Sequence, residues 1–101
     1  GITFKENCSD IRNSRVIDLV KELKKISDNV FVHDNYADKV EIKKEHKIEF
    51  IEKINNKYDI VILAVSHDNY LKIDFNKILK KKHILYDVKS ILPKNISTLR
   101  L

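Results

Sequence analysis

Apolar positions along this 101-residue chain change their spacing several times, and each change marks an element. From Ser14 to Ser27, Val16, Leu19, Val20, Leu23 and Ile26 recur at the three-and-four spacing of one helical face, which predicts an amphipathic helix. Ser14 or Asn13 stands where its N-cap belongs. Val30-Phe31-Val32-His33 is short, β-branched or aromatic, and closed by Asp34-Asn35, so it reads as a strand. Tyr36 to Lys47 is polar, with a loose helix expected around Lys39 to Glu45, and Phe50, Ile51 and Ile54 suggest another short helix before Asn55-Asn56. Behind Tyr58 and Asp59, Ile60 to Val65 is continuously apolar, the pattern of a strand covered on both faces and central in a parallel sheet. After the loop Ser66-His67-Asp68-Asn69, the residues Tyr70, Leu71, Ile73, Phe75, Ile78 and Leu79 predict one or two short helices. These run into Lys80-Lys81-Lys82, whose charges oppose a helix dipole when they sit in a last turn. His83 to Asp87 reads as a further strand and Val88 to Leu101 as a tail. Strands alternating with helices predict a three-layer α/β/α sandwich with a mostly parallel sheet. Ile2-Thr3-Phe4 looks like the end of a strand whose beginning is missing, because a parallel sheet needs an apolar strand feeding the first helix. The first strand is therefore expected to be truncated, and residues 1–101 to form a single domain that is a fragment of something longer.

Composition narrows the possible chemistry. With 43% hydrophobic and 35% charged residues the chain has enough apolar content for a modest core. No stretch approaches the roughly 20 apolar residues of a transmembrane helix, and the start lacks a signal peptide's order, so a cytoplasmic location is the expectation. The single cysteine, Cys8, rules out an intrachain disulfide framework and a Cys-rich zinc site. Gly1 is the only glycine. A glycine-rich phosphate-binding loop, of the dinucleotide or the nucleoside-triphosphate type, is thereby excluded from this segment. The net charge of +5 and the runs Lys24-Lys25, Lys43-Lys44 and Lys80-Lys81-Lys82 raise nucleic-acid binding as a possibility. Interspersed acids and the lack of an aromatic-basic stacking motif argue against it, so no nucleic-acid partner is expected.

In open α/β sheets ligands bind at the carboxyl ends of strands, which directs attention to Lys5 through Arg15. Lys5, Arg12 and Arg15 are cations near a helix N-terminus whose free N–H groups favour an anion, a combination that suits a phosphate or diphosphate. Equally open is a loop in which Asp10 pairs with one arginine and the rest is solvated. Ser66-His67-Asp68 contains the residue types of a nucleophilic triad, but three consecutive side chains diverge, and His67 reads instead as a loop histidine that orders its turn. Asp34 ends a strand about where a dinucleotide-binding domain places its ribose acid; without the glycine fingerprint, capping a turn is the expected role. Cys8 has no evident base and is read as inert. His33, His46, His67 and His83 lack ligand spacing, so no metal site is expected.

Three segments together carry a family resemblance. Phe4-Lys5-Glu6-Asn7 with Asp10-Ile11-Arg12-Asn13-Ser14 resembles the opening motif of the C-terminal, UDP-binding domain of UDP-glucose/GDP-mannose 6-dehydrogenases. The likeness continues through Tyr58-Asp59-Ile60-Val61-Ile62-Leu63-Ala64-Val65 with His67, and through Tyr86-Asp87-Val88-Lys89 with Leu92-Pro93. The chain is most similar to the bacterial branch that oxidises UDP-N-acetylhexosamines for surface polysaccharide. The resemblance implies a Rossmann-like sheet and a two-step, four-electron oxidation of the sugar C6 hydroxyl to a carboxylate by two NAD molecules, through a thioester on a cysteine. Cys8 does not match that cysteine, and no catalytic residue is expected in this chain. The NAD domain and the domain with the nucleophile precede the matching segment in the family, so the isolated chain is expected to be inactive. By position, Phe4 and Lys5 match residues that hold the nucleotide-sugar and Arg12 one that reaches the NAD. Lys89 stands where many relatives have a substrate-binding arginine; it keeps the charge but loses the bidentate fork. The implied partners are a UDP-sugar, NAD, the N-terminal and central domains of a longer chain, and further copies in a homo-oligomer, with no membrane. The competing expectation is a stand-alone α/β module that binds anions or nucleic acid.

Overall fold

The structure is a computed structural model and describes residues 1–12 and 14–100. Helix α1 spans Arg15–Ile26, with Ser14 at its N-cap. The Ser14 hydroxyl donates to the Ile2 carbonyl at 2.6 Å instead of accepting from the helix, so it ties the helix start to the segment before it. Asn13, the alternative cap, lies outside the described residues. Helix α2, Lys39–His46, falls where the loose helix was expected. Asp38 caps it by accepting the Glu41 N–H at 3.0 Å. Ile17 and Val20 of α1 and Ile42 of α2 are buried with Ile2, Ile11, Val32, Ala37 and Ile48 in one core cluster.

The second half holds a parallel three-stranded sheet: β1, Tyr58–Leu63, β2, Leu79–Asp87, and β3, Leu99–Arg100, in the order β1-β2-β3. Two short 3-10 segments, Asp68–Lys72 and Phe75–Lys77, occupy the crossover from β1 to β2. Leu63, Tyr70, Phe75, Ile78, Leu79, Leu85 and Leu92 make the second core cluster. Flanking helices and an all-parallel sheet give the Rossmann-like α/β fold that the sequence predicted.

Several elements differ from expectation. β1 is an edge strand, not the central one, and its faces are incompletely covered: Ile60 is 58% exposed. An unbroken apolar run records that a strand is meant to be covered, not by what. The predicted strand at residues 30–33 is reduced to one parallel bridge between Val32 and Phe50, and the helix expected around Phe50 is absent because that segment pairs with Val32, Ile51 N–H donating to the Val32 carbonyl at 2.9 Å. Lys80-Lys81-Lys82 extend β2 rather than closing a helix. They lie where the register between β1 and β2 shifts, and the three lysines are exposed, Lys80 lying 3.2 Å from the Asp59 carboxylate. The tail gains β3, too short to leave a periodic signal. Ile2 and Thr3 are fully buried, yet no strand forms there among the described residues.

The predicted face of α1 is displaced as well. Val16, Leu19, Val20, Leu23 and Ile26 line an open, largely apolar cleft of about 330 Å3, shared with Phe31 and with Ile60–Leu63 of β1. Ile26 is 82% exposed at its rim. Gly1 lies at the same cleft and packs against Val65, whose carbonyl oxygen would be 2.5 Å from any Cβ added there. Only glycine allows that approach.

Candidate functional site

β1 and β2 end side by side, Leu63 opposite Asp87, and the chain leaves both strands at one edge of the sheet. Three loops adjoin one another there: residues 4–10, 64–69 and 88–92. The first is closed by the Phe4 N–H donating to the Asp10 carbonyl at 2.6 Å, and the Thr3 hydroxyl donates to the Lys5 carbonyl at 2.9 Å. The Phe4 and Lys5 side chains remain exposed. Lys89, also exposed, follows β2 by two residues in a turn where the Ser90 N–H donates to the Asp87 carbonyl at 3.2 Å. Buried Asp87 steadies this turn by accepting the Leu92 N–H at 2.7 Å.

Arg12 lies on the same first loop, its guanidinium forking onto Asp10 through Nε and Nη2 at 3.1 Å each. The hydrogen bonds from Arg12, with its charge and that of Lys5, hold the Asp10 carboxyl below its ordinary range, and Asp10 raises Arg12 in turn. The pairing of Asp10 with one arginine is thus present, and with 85% of the Arg12 side chain exposed the guanidinium still faces solvent. Arg15 is exposed at the start of α1. Cys8 is a free, half-buried thiol.

The first loop is fastened from below by a buried polar cluster. His67 and Asp34 are both fully buried, with Nε2 of the histidine 2.8 Å from Oδ2 of the aspartate. Nδ1 of His67 accepts the Asn7 N–H at 2.8 Å, and the Asn7 side-chain oxygen accepts the Asp68 N–H at 2.9 Å. Asp34 also accepts from the backbone N–H groups of Ile2, Tyr36 and Ala37, at 2.7, 2.7 and 2.9 Å. Burial pushes the Asp34 carboxyl up, but those donors and His67 outweigh it and leave the group below its usual range. Tyr70 adds a tie, its hydroxyl donating to the His33 carbonyl at 2.6 Å, and burial with the Asp34 charge raises its pKa.

Asp34 does cap a turn, as the sequence suggested, and His67 does order one. What sequence reasoning missed is that they do so together, across 33 residues. The available signal was that both follow apolar strand candidates and therefore arrive at the same edge. Ser66 and Asp68 take no part in a triad: the carboxylate on His67 comes from Asp34, while Asp68 is exposed. Among the described residues no group of three His, Cys, Asp or Glu side chains is placed to hold a metal ion, and no helix is long and apolar enough to cross a membrane. Each lysine run carries a carboxylate partner, Lys25 with Glu22, Lys43 with Glu49 and Lys80 with Asp59, at 2.9, 3.5 and 3.2 Å.

Comparison with known proteins joins these features to one family. The UDP-binding domain of the UDP-glucose/GDP-mannose dehydrogenase family matches residues 1–94, which include all three loops. The chain belongs to that family. It is 43% identical to a UDP-N-acetyl-D-glucosamine 6-dehydrogenase of Salmonella typhi, over 100% of this chain and 25% of that protein. It is 42% identical to Protein CapL of Staphylococcus aureus, over 91% of this chain and 22% of that one. A UDP-N-acetyl-D-glucosamine 6-dehydrogenase of Pseudomonas aeruginosa is 37% identical, over 100% of this chain and 25% of its own length. The chain thus spans about a quarter of the curated relatives it matches. Lys5 and Lys89 each present an exposed ammonium group on one of these loops.

Proposed function

We propose that this chain is the C-terminal, nucleotide-sugar-binding domain of an NAD-dependent UDP-N-acetylhexosamine 6-dehydrogenase that makes UDP-uronates for surface polysaccharide. The observation that carries this reading is the loop of residues 4–10, whose backbone is pinned by hydrogen bonds while Phe4 and Lys5 stay exposed. A rigid loop with free side chains suits a ligand that the domain presents to chemistry elsewhere. Phe4, Lys5 and Lys89 hold the UDP-sugar, the aromatic ring giving apolar contact and the ammonium groups charge. Arg12 reaches a phosphate of NAD. The chain's lone glycine, Gly1, leaves no cradle for a dinucleotide, so NAD is bound mainly by other domains. When bound there, NAD accepts the hydride in each of two oxidations, and water supplies the second carboxylate oxygen.

The apolar cleft supports the domain assignment. A free edge on β1, the helix face of Val16, Leu19, Leu23 and Ile26, and Gly1 at the same opening leave space shaped for an apolar strand beside β1. We assign it to the segment preceding Gly1 in the longer enzyme. The decisive experiment compares that enzyme with the 101-residue chain. With UDP-N-acetylglucosamine the enzyme is expected to reduce two NAD per sugar and the chain alone none. Amides of β1 that do not bond to β2 are expected to exchange more slowly in the enzyme. Turnover by the chain alone overturns the division of labour, and equal exchange overturns the strand.

A further inference from the structure

We infer that His67 is a positioning residue for the UDP-sugar, holding the loop that presents Phe4 and Lys5 through one defined imidazole tautomer. The inference rests on the proposed role of that loop. The Asn7 N–H is a donor, so Nδ1, which receives it at 2.8 Å, carries no proton. The ring proton then sits on Nε2, which faces Oδ2 of Asp34 at 2.8 Å and Oγ1 of Thr3 at 3.3 Å. Thr3 has its own hydroxyl proton directed to the Lys5 carbonyl, so toward His67 it is an acceptor too. Every partner of the ring agrees on the same tautomer.

The ring is fixed as well as bonded. Tyr36 lies against it with centroids 4.4 Å apart, and Tyr70 at 5.6 Å. What it fixes in turn is a residue in an unfavourable backbone conformation: Asn7 has φ of 57°, in the left-handed region. Such a residue persists when its surroundings over-determine it, and here His67 takes its N–H while Asp68 donates to its side chain. The clasp spans about 60 residues of sequence and binds the loop after Thr3 to the loop after β1. No atom of His67 needs to touch substrate, since the ring is fully buried.

Two replacements separate the two faces of the ring. In His67→Asn the side-chain amide lies near the position of Nδ1 and can still accept from Asn7, but it no longer reaches Asp34. In His67→Gln the amide lies near Nε2, can donate to Asp34, and leaves Asn7 unsupported. The expected result in the longer enzyme is a crossover. His67→Asn has the lower urea midpoint but a KM for UDP-N-acetylglucosamine within about twofold of wild type. His67→Gln unfolds near wild type but has a KM about fivefold higher, with kcat little changed. The Asn7 amide exchanges about tenfold faster in the glutamine variant only. If KM follows stability, so that glutamine is the better substitute in both respects, His67 is a buried structural group and the inference fails. If Lys5→Ala leaves KM unchanged, the substrate role of the loop fails instead, and unchanged Asn7 exchange in His67→Gln would still overturn the clasp.

Discussion

Replacing Asp34 by alanine is expected to cost the domain about 3–5 kcal/mol, because it leaves several buried donors without their acceptor at about 1–3 kcal/mol each. Four donors lose a bond at once: the Ile2, Tyr36 and Ala37 backbone N–H groups and Nε2–H of His67, which keeps only Oγ1 of Thr3 at 3.3 Å. The bonds from Ile2, Ala37 and His67 are buried, so water does not take the place of the lost acceptor there. Set against the roughly 5–15 kcal/mol that holds a typical domain together, this is a large share. The loss reaches both halves of the fold, since Ile2 belongs to the first core cluster and Tyr70, packed near His67, to the second. Asp34→Asn keeps an acceptor for one side only and is expected to fall between. Urea unfolding of the three proteins measures the order; an alanine variant within about 1 kcal/mol of wild type would show that the cluster contributes no more than an exposed pair. The sign of the pH dependence follows from the depressed carboxyl. Its contribution is complete above the unfolded aspartate range and is lost as pH falls through the lower folded value.

Lys5→Ala and Lys89→Ala, made separately in the longer enzyme, are each expected to raise KM for the UDP-sugar about tenfold or more. A charge-assisted contact is worth about 1.5–3 kcal/mol, which converts to that range. KM for NAD should hardly move, and kcat should change little, because the lost contact is made equally in ground and transition states. Arg12→Ala is the counterpart: its fork lies on the same loop but is assigned to NAD, so the larger loss should appear in the cofactor constant. Ionic strength distinguishes a site from a diffuse basic surface. Exposed charges are screened over about 10 Å at 0.1 M salt, so a diffuse effect disappears at moderate salt while a defined contact persists. Titrating UDP into the enzyme and both lysine variants at two salt concentrations decides the matter, and unchanged affinity in both variants rejects the assignment.

The family and its opening motif were legible in the sequence because the motif is carried by residues that stand close together in the chain, from Phe4 to Ser14. Local elements were legible for a related reason. The spacing of Val16 through Ile26 sets a helix, and the apolar run behind Tyr58 sets a strand, because period and β-branching act within a few residues. Asp34 after an apolar stretch read correctly as a turn cap for the same reason, whereas the Asp38 cap of α2 emerged only in the structure.

Everything that depends on which element lies beside which was decided by the tertiary structure. Sequence shows that β1 should be covered, but not that its neighbour on one side is β2 and on the other a cleft. Lys80-Lys81-Lys82 look like the end of a helix, yet they lie within β2, where its register with β1 shifts. Val32 and Phe50 form a bridge that neither stretch announces alone. The Asp34–His67 pair is the clearest instance. A carboxylate and an imidazole 33 residues apart carry no mark of each other in the chain. They meet because the turn after the Val32–Phe50 bridge and the loop after β1 come together, and they stay because a charge buried there must find donors.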